Sequence, residues 1–436
     1  MTMIKEKANQ LHFNSIVLDC HNDTMLEVVD PDTGLPKIDI GKDTNLKIDL
    51  HKAKEGGLNV GYFAAFSTYE ESYKKANSHI LALINALYWT RDQNQDKLEI
   101  GTTVEDIKNI LSTGKMVAVP TIEGAYSLEE DRGIELLNQY YDLGVRVVAY
   151  VWNPENALGA GTQGPKEKGL TSLGYQVTDE MNRLGMIIDV SHMNEKTFWD
   201  VIQYSKAPII ASHSCSTKLC SHVRNLTDEQ IIALAQKKGV VNINYWWELL
   251  GPSQKEVDVK KVVDHIDYIV KLVGIDYVGL GSDFDGAAMP VDLQTVRDLP
   301  KITLELLERN YTEEDIKKIL GLNNLRVMDE VQKMSKVNRK NNIKIVPNIK
   351  SGSITHGKEK DLEAKIKKEE AKESDFRIII DGIEYKSKYR KEEETLSLGQ
   401  DINLEKNCFH VITFEAKDRE KNISRNTVIF YVEDIF

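Results

Sequence analysis

The sequence predicts an α/β chain: a closed (β/α)8 barrel followed by a small all-β module. Three observations carry this reading. First, a local grammar recurs in which an amphipathic helical pattern closes on glycine and a short apolar run follows at once, as in YDLGVRVVAYV, NRLGMIIDVSH, QKKGVVNINYW and KLVGIDYVGLGSD. Second, eight such apolar runs can be counted between helical segments, and runs apolar on both faces are the mark of buried parallel strands. Third, beyond residue 335 the helical grammar stops, and after a charged stretch the pattern turns to period two.

The eight runs, in order, are SIVLDC (15–20), LNVGYFAAF (58–66), MVAVPTI (116–122), VRVVAYV (145–151), GMIIDV (185–190), PIIAS (208–212), GVVNINY (239–245) and YVGLGS (277–282). An open doubly wound sheet is the alternative that alternating strands and helices also allow. Gly144, Gly185, Gly239 and Gly274 stand where a helix C-cap takes a left-handed conformation. Thr227 with Gln230, and Thr312 with Asp315, predict helix starts with capping boxes. The barrel is expected over residues 1–335. A charged linker with a solvated helix is expected over 336–375, where Lys and Glu dominate and aromatics are scarce. A small β-rich module is expected over 376–436, from FRIIIDGIEYKSKY, NCFHVITFEAKD and NTVIFYVEDIF.

A chain of 436 residues exceeds what one core usually organises, in keeping with a large and a small unit. A net charge of −12 without any basic stretch free of acids argues against a nucleic-acid surface. No window is apolar enough to predict a membrane span. Cys20, Cys215, Cys220 and Cys408 are too scattered for a disulfide framework. The start, MTMIKEKANQLHFN, has no apolar segment of a leader, so a reduced, cytoplasmic setting is the expectation.

In a parallel barrel, chemistry is assembled at the C-terminal ends of the strands, because the loops there share one cavity. The first run ends in His21 and Asp23, which strict alternation would put on one strand face, with Cys20 and Asn22 on the other. The third ends in Glu123 followed by glycine, the fifth in His192, the sixth in His213, and the eighth in Asp283 and Asp285. Imidazole and carboxylate are the donors of zinc and similar divalent ions, and this set exceeds one tetrahedral site. Two zinc ions bridged by Glu123 explain the surplus, with His21 and Asp23 on one and His192 and His213 on the other. A lone histidine is more often structural; what lifts these is that each follows directly on an apolar run, where an unpaired polar group is costly.

Together LDCHNDT, TIEGAYSL, LGVRVVAYVWNPENALGAG, RLGMIIDVSHMNEKTFWDVI, PIIASHSCSTKLCSHVRNLTDEQI and VGIDYVGLGSDFDG resemble the membrane dipeptidase (renal dipeptidase) family of binuclear zinc peptidases, over roughly residues 10 to 335. The resemblance implies His21, Asp23 and Glu123 at one zinc and Glu123, His192 and His213 at the other. It implies that Arg224 binds the dipeptide's C-terminal carboxylate and that Asp283 handles the proton of the bridging hydroxide that attacks the peptide carbonyl; Asp285 is expected to be structural. Where mammalian members carry a substrate-binding histidine this chain has Trp152, so contacts to the carbonyl oxygen would fall to the metal with Asn153 or Asn156. Tolerance of a D-residue at the C-terminal position and a homodimer are implied by the same resemblance. The tail, FHVITFEAKDREKNISRNTVIFYV, resembles the closing hairpin of a bacterial immunoglobulin-like sandwich.

Two other readings compete. A different amidohydrolase-type barrel would show His-x-His on its first strand and a lysine ligand on its fourth, where this chain has His-x-Asp and Glu123. An inert barrel serving as a binding protein is disfavoured by the complete set of metal donors.

Overall fold

The computed structural model describes residues 2–68, 72–339, 342–356, 362–367 and 376–434. Its first nine strands are β1 (Leu18–Asn22), β2 (Val60–Phe66), β3 (Leu98–Ile100), β4 (Met116–Glu123), β5 (Val147–Ala149), β6 (Ile187–Asp189), β7 (Ile209–Ser214), β8 (Val240–Ile243) and β9 (Val278–Leu280). All but β3 pair side by side, parallel and in chain order, and these eight are the eight apolar runs of the sequence. β3 pairs with the start of β4; three residues are too short to carry a period, so it was not legible.

The sheet returns on itself. Asn22 bridges Phe284 in parallel, the Asp23 N–H donates to Phe284 O at 2.9 Å, and the Asp283 N–H donates to His21 O at 3.0 Å. Buried Asp19 fastens the same seam by accepting from the Ser282 N–H at 2.6 Å and the Ser282 hydroxyl at 2.8 Å. Burial pushes its carboxyl up to about 6. A doubly wound sheet would leave two edges here, so the seam decides for the barrel.

Leu18 and Cys20, Val60 and Tyr62, Val117 and Val119, Val147, Ile187, Ile210 and Val240 form one buried cluster with Leu325, Val327, Met328 and Val331 of the helix Asn323–Lys333. Only the inside of a barrel is shared by so many strands, so that helix closes its N-terminal end. Cys20 therefore faces inward, contrary to strict alternation. A register shift between Asp19 and Asn22 breaks the period, and Asp23 already belongs to the turn before the helix Thr24–Val28. Both expected capping boxes form, at Thr227–Gln230 and Thr312–Asp315. Gly239 differs from expectation: Lys238 takes the left-handed conformation instead, and Gly239 is needed because a Cβ would lie 2.0 Å from Ile209 O.

The stretch expected as a linker supplies strands. β10 (Lys344–Pro347), β12 (Glu363–Lys367), β15 (Ser387–Arg390) and β16 (Thr395–Leu398) form one sheet; β11 (Ser353–Thr355), β13 (Phe376–Ile380), β14 (Ile383–Tyr385), β17 (Cys408–Lys417) and β18 (Ile423–Val432) form a second. Ile345, Ala364, Ile366 and Leu396 of the first sheet pack on Ile378, Phe414 and Phe430 of the second. The short alternation in KIVP and EAKIK was masked by the lysines and glutamates on the open face. The expected solvated helix falls partly on residues 357–361 and 368–375, outside the described residues. Among the described residues, no helix is long and apolar enough to cross a membrane.

Candidate metal centre

At the C-terminal mouth of the barrel, strand ends bring His21, Asp23, Glu123, His192 and His213 together, each no more than 7% exposed. Glu123 is the last residue of β4, and Gly124 with φ 81° turns the chain away behind it. His192 and Asp283 lie just past β6 and β9 in the left-handed region, at φ 69° and 62°. Such backbone is strained for non-glycine residues and is held where it aims a side chain.

The two oxygens of Glu123 face different partners. Oε1 lies 2.7 Å from His192 Nε2 and 3.4 Å from His213 Nε2. Oε2 lies 3.3 Å from His21 Nε2, which is also 3.5 Å from Asp23 Oδ2. Neither His21 Nε2 nor Asp23 Oδ1 has a hydrogen-bond partner, although both are buried. Donor atoms of His21, Glu123 and His213 form one close trio, and those of His21, Asp23 and Asp283 a second, all within 4.8 Å.

The electrostatics point the same way. Burial opposes charge on His21, but the Glu123 and Asp23 carboxylates push it well above the usual imidazole value. Burial and Arg224 push His192 down to about 4; burial and His21 push His213 well down. Asp23 is pushed up to about 8 by burial and then by Glu123. Carboxylates crowd carboxylates while imidazoles crowd imidazoles, and orphaned lone pairs point inward. A divalent cation relieves all three, so the donor set fits a metal.

The far ring nitrogens are tied down. His192 Nδ1 donates to Asn153 Oδ1 at 3.0 Å, which also accepts from the Thr162 hydroxyl at 3.1 Å. His213 Nδ1 pairs with Ser212 Oγ at 2.7 Å, and that hydroxyl donates to Asp189. Both arrangements leave Nε2 as the lone-pair nitrogen facing Glu123. Asn156 serves its own turn, donating to Tyr150 O at 2.6 Å and accepting from the Leu158 N–H at 2.8 Å. Asp285 braces a neighbouring loop, accepting from the Thr24 hydroxyl at 2.7 Å and the Lys47 N–H at 2.6 Å.

A cavity of about 650 Å³ opens over these groups. Arg224, 6% exposed, lines it and donates one bond to His213 O at 3.2 Å. Asp283 is oriented by Asn244 Nδ2 at 2.9 Å. Trp152 and Asn153 also line it. Sequence reasoning missed Leu26, Phe66, His222, Asn244, Trp246 and Gly286, which share the wall. His222 stands two residues before Arg224 in a stretch singled out for that arginine; Phe66 is the last residue of β2, and the others carried no signal beyond lying one to three residues past a strand or a candidate ligand.

Buried imidazoles and carboxylates at the mouth of a (β/α)8 barrel, with a cavity above them, define a metal-dependent hydrolase. Comparison with known proteins narrows the class. The sequence matches the membrane dipeptidase family, peptidase family M19, over residues 5–342. An uncharacterized dipeptidase of Schizosaccharomyces pombe is 29% identical over 350 residues, covering 76% of this chain and 84% of that protein. Among solved structures, the probable dipeptidase PvdM of Pseudomonas aeruginosa superposes with a TM-score of 0.71 at 26% identity, covering 77% of this chain and 100% of the other. A metallopeptidase of Rhodobacter sphaeroides, crystallised with a phosphinate mimic of the dipeptide L-Ala-D-Ala, does so at 0.66 and 26%, covering 73% and 100%. The chain belongs to the membrane dipeptidase family and is by that membership a metallopeptidase.

Proposed function

We propose that this chain is a binuclear zinc dipeptidase that hydrolyses dipeptides with a free C-terminal carboxylate, including those with a D-residue at that position. The observation that carries the reading is Glu123, whose Oε1 faces His192 and His213 while its Oε2 faces His21, so that it would be shared between two ions. His21 and Asp23 would hold one ion and His192 and His213 the other. When bound, two zinc ions supply Lewis acidity for the peptide carbonyl and acidify a water toward neutrality.

The remaining roles fall to side chains. Arg224 pairs with the substrate carboxylate through a buried planar fork, which sets substrate length by demanding a free chain end. Asp283, turned into the cavity and steadied by Asn244, takes the proton of the attacking water and passes it to the leaving nitrogen. Before that it attracts the substrate ammonium. Asn153 keeps His192 aligned through Oδ1, while its amide nitrogen is available to the substrate carbonyl. The L-Ala-D-Ala mimic on the Rhodobacter sphaeroides relative supports acceptance of a D-residue. A homodimer, by family analogy, completes the proposal.

Metal content by mass spectrometry, with hydrolysis of L-Ala-D-Ala and L-Leu-L-Leu before and after chelation, tests it. Close to two zinc ions per chain, with activity lost on chelation and restored by zinc, is expected. Two metals without dipeptide cleavage would refute the substrate, and absence of tightly bound metal would refute the mechanism.

A further inference from the structure

Arg224, Asp283 and Asn244, together with Trp246, line the cavity from the loops after β7, β8 and β9, and the ends of β1, β2 and β5 present a cluster of three apolar side chains, Leu26, Phe66 and Trp152. Phe66 is paired in register with Glu123 across β2 and β4, so both side chains point into the same mouth. The Trp152 ring meets Phe66 edge to face, centroids 5.4 Å apart at 88°, and lies 6.1 Å from the His192 ring. Leu26 follows Asp23 by three residues on the short helix Thr24–Val28. All three are only partly buried, and they line the open cavity.

We propose that Leu26, Phe66 and Trp152 form a pocket for the N-terminal side chain of the dipeptide, and that the preferred substrates carry a bulky apolar, above all aromatic, N-terminal residue. The inference rests on the dipeptidase reading. A dipeptide has a cation at one end and an anion at the other. With its carboxylate on Arg224 and its ammonium on Asp283, as in the proposed function, the N-terminal side chain has the cluster of Leu26, Phe66 and Trp152 in the same cavity to enter. Two rings at a right angle take a third by stacking it on one and setting its edge against the other. A methyl group would leave that corner to water. The C-terminal side chain is directed to the rim beside Val223, which is 74% exposed, where size is weakly sensed.

The test compares kcat/KM of the zinc-loaded full chain for L-Phe-L-Ala and L-Ala-L-Ala, and for L-Ala-L-Phe as the reversed control. A preference of about 100-fold for L-Phe-L-Ala is expected, since apolar pockets discriminate by roughly 10- to 200-fold even for one methylene. L-Ala-L-Phe should lie within a few-fold of L-Ala-L-Ala. Phe66→Ala should collapse the L-Phe-L-Ala to L-Ala-L-Ala ratio to a few-fold; Phe66→Leu, which keeps an apolar side chain and the fold, should reduce it to an intermediate value. Equal turnover of L-Phe-L-Ala and L-Ala-L-Ala by the unaltered enzyme, or a ratio untouched in both variants, overturns the pocket while leaving the dipeptidase reading intact. Cleavage of none of the three by zinc-loaded protein overturns the dipeptidase reading itself.

Discussion

Asp189 touches none of the proposed metal ligands, yet it holds the backbone and side chains that aim two of them, His192 and His213. Its carboxylate, 3% exposed, accepts from the Ser191 N–H and the Ser212 N–H, both at 2.9 Å, and from the Ser212 hydroxyl. Ser191 and Ser212 are the residues immediately before His192 and His213. Because Ser212 donates to Asp189, its lone pair accepts from His213 Nδ1–H, which leaves Nε2 free to bind metal. In Asp189→Asn, one amide oxygen still serves the two N–H groups, but the NH2 faces Ser212 Oγ. The hydroxyl proton then turns to His213 Nδ1, and the ring is driven to the tautomer with its proton on Nε2. A hydrogen bond to a charged group contributes about 1.5–3 kcal/mol, and loss of such an outer partner lowers metal affinity by roughly 10- to 100-fold. Zinc affinity by chelator competition should fall in that range, and 15N spectra of the metal-free variant should show the His213 tautomer reversed. An affinity unchanged within about 3-fold, in a variant that keeps its fold and the original tautomer, would refute the reasoning.

Gly286→Ala should disable the centre from the opposite side, because the new Cβ would stand 2.0 Å from Asp23 Oδ2 and 2.7 Å from Asp283 Oδ1. Metal bound per chain and its affinity should drop by about 10-fold or more; stoichiometric loading at native affinity would contradict it. Arg224→Lys keeps the charge but loses the fork, so KM for dipeptides should rise by roughly 10-fold. Discrimination against dipeptide amides should shrink in parallel, and an unchanged ratio would remove Arg224 from carboxylate recognition. In the β-module, burial lowers the His410 pKa but bonded Asp381, at 2.6 Å, more than offsets it, so the net shift is upward. The folded state therefore holds this proton more tightly. The pair's stabilisation is fully present below the unfolded imidazole value and is lost as pH rises through the folded one. His410→Gln should flatten that part of the stability–pH curve measured by denaturant unfolding, and an unaltered slope would disprove the linkage.

What the sequence disclosed depended on whether a physical constraint repeats. The barrel strands are apolar on both faces and several begin just after a helix C-cap, so the eight runs were legible one by one. The donors that meet at the barrel mouth were legible because a polar residue directly after a buried run has few structural reasons to be there. Aim was hidden: nothing in the residue types of His192, Asp283 or β1 announces the left-handed backbone at the first two or the register shift in the strand. Phe66 and Leu26 were illegible for the opposite reason, since an aromatic or leucine near a strand end looks like core until the cavity beside it is seen. The strands of residues 344–367 were lost under a charged composition that belongs to their solvent face.

The same logic explains the C-terminal strands, whose sequence is less alternating than a free-standing sandwich requires. In β17 eight consecutive residues are buried. Ile412, Phe414 and Ala416 pack within the module, whereas Phe409 and Val411 join the barrel's own core; in β18, Phe430 and Val432 face one way, Ile429 and Tyr431 the other. The second face rests on the helices Tyr73–Gln93 and Gly133–Asp142, which follow the strands ending in Phe66 and Glu123. Gln139, wholly buried, ties the join, donating to Thr413 Oγ1 at 3.0 Å and Ile379 O at 3.2 Å and accepting from the Gly382 N–H at 2.7 Å. Asp142, on the same helix, pairs with Arg339 and with Arg425. A sheet with two apolar faces cannot stand in water on one of them, and a buried glutamine bonded across the join would leave unpaired groups on both sides if the units parted. The module is therefore docked on the barrel's helices Tyr73–Gln93 and Gly133–Asp142 rather than an appendage on a tether.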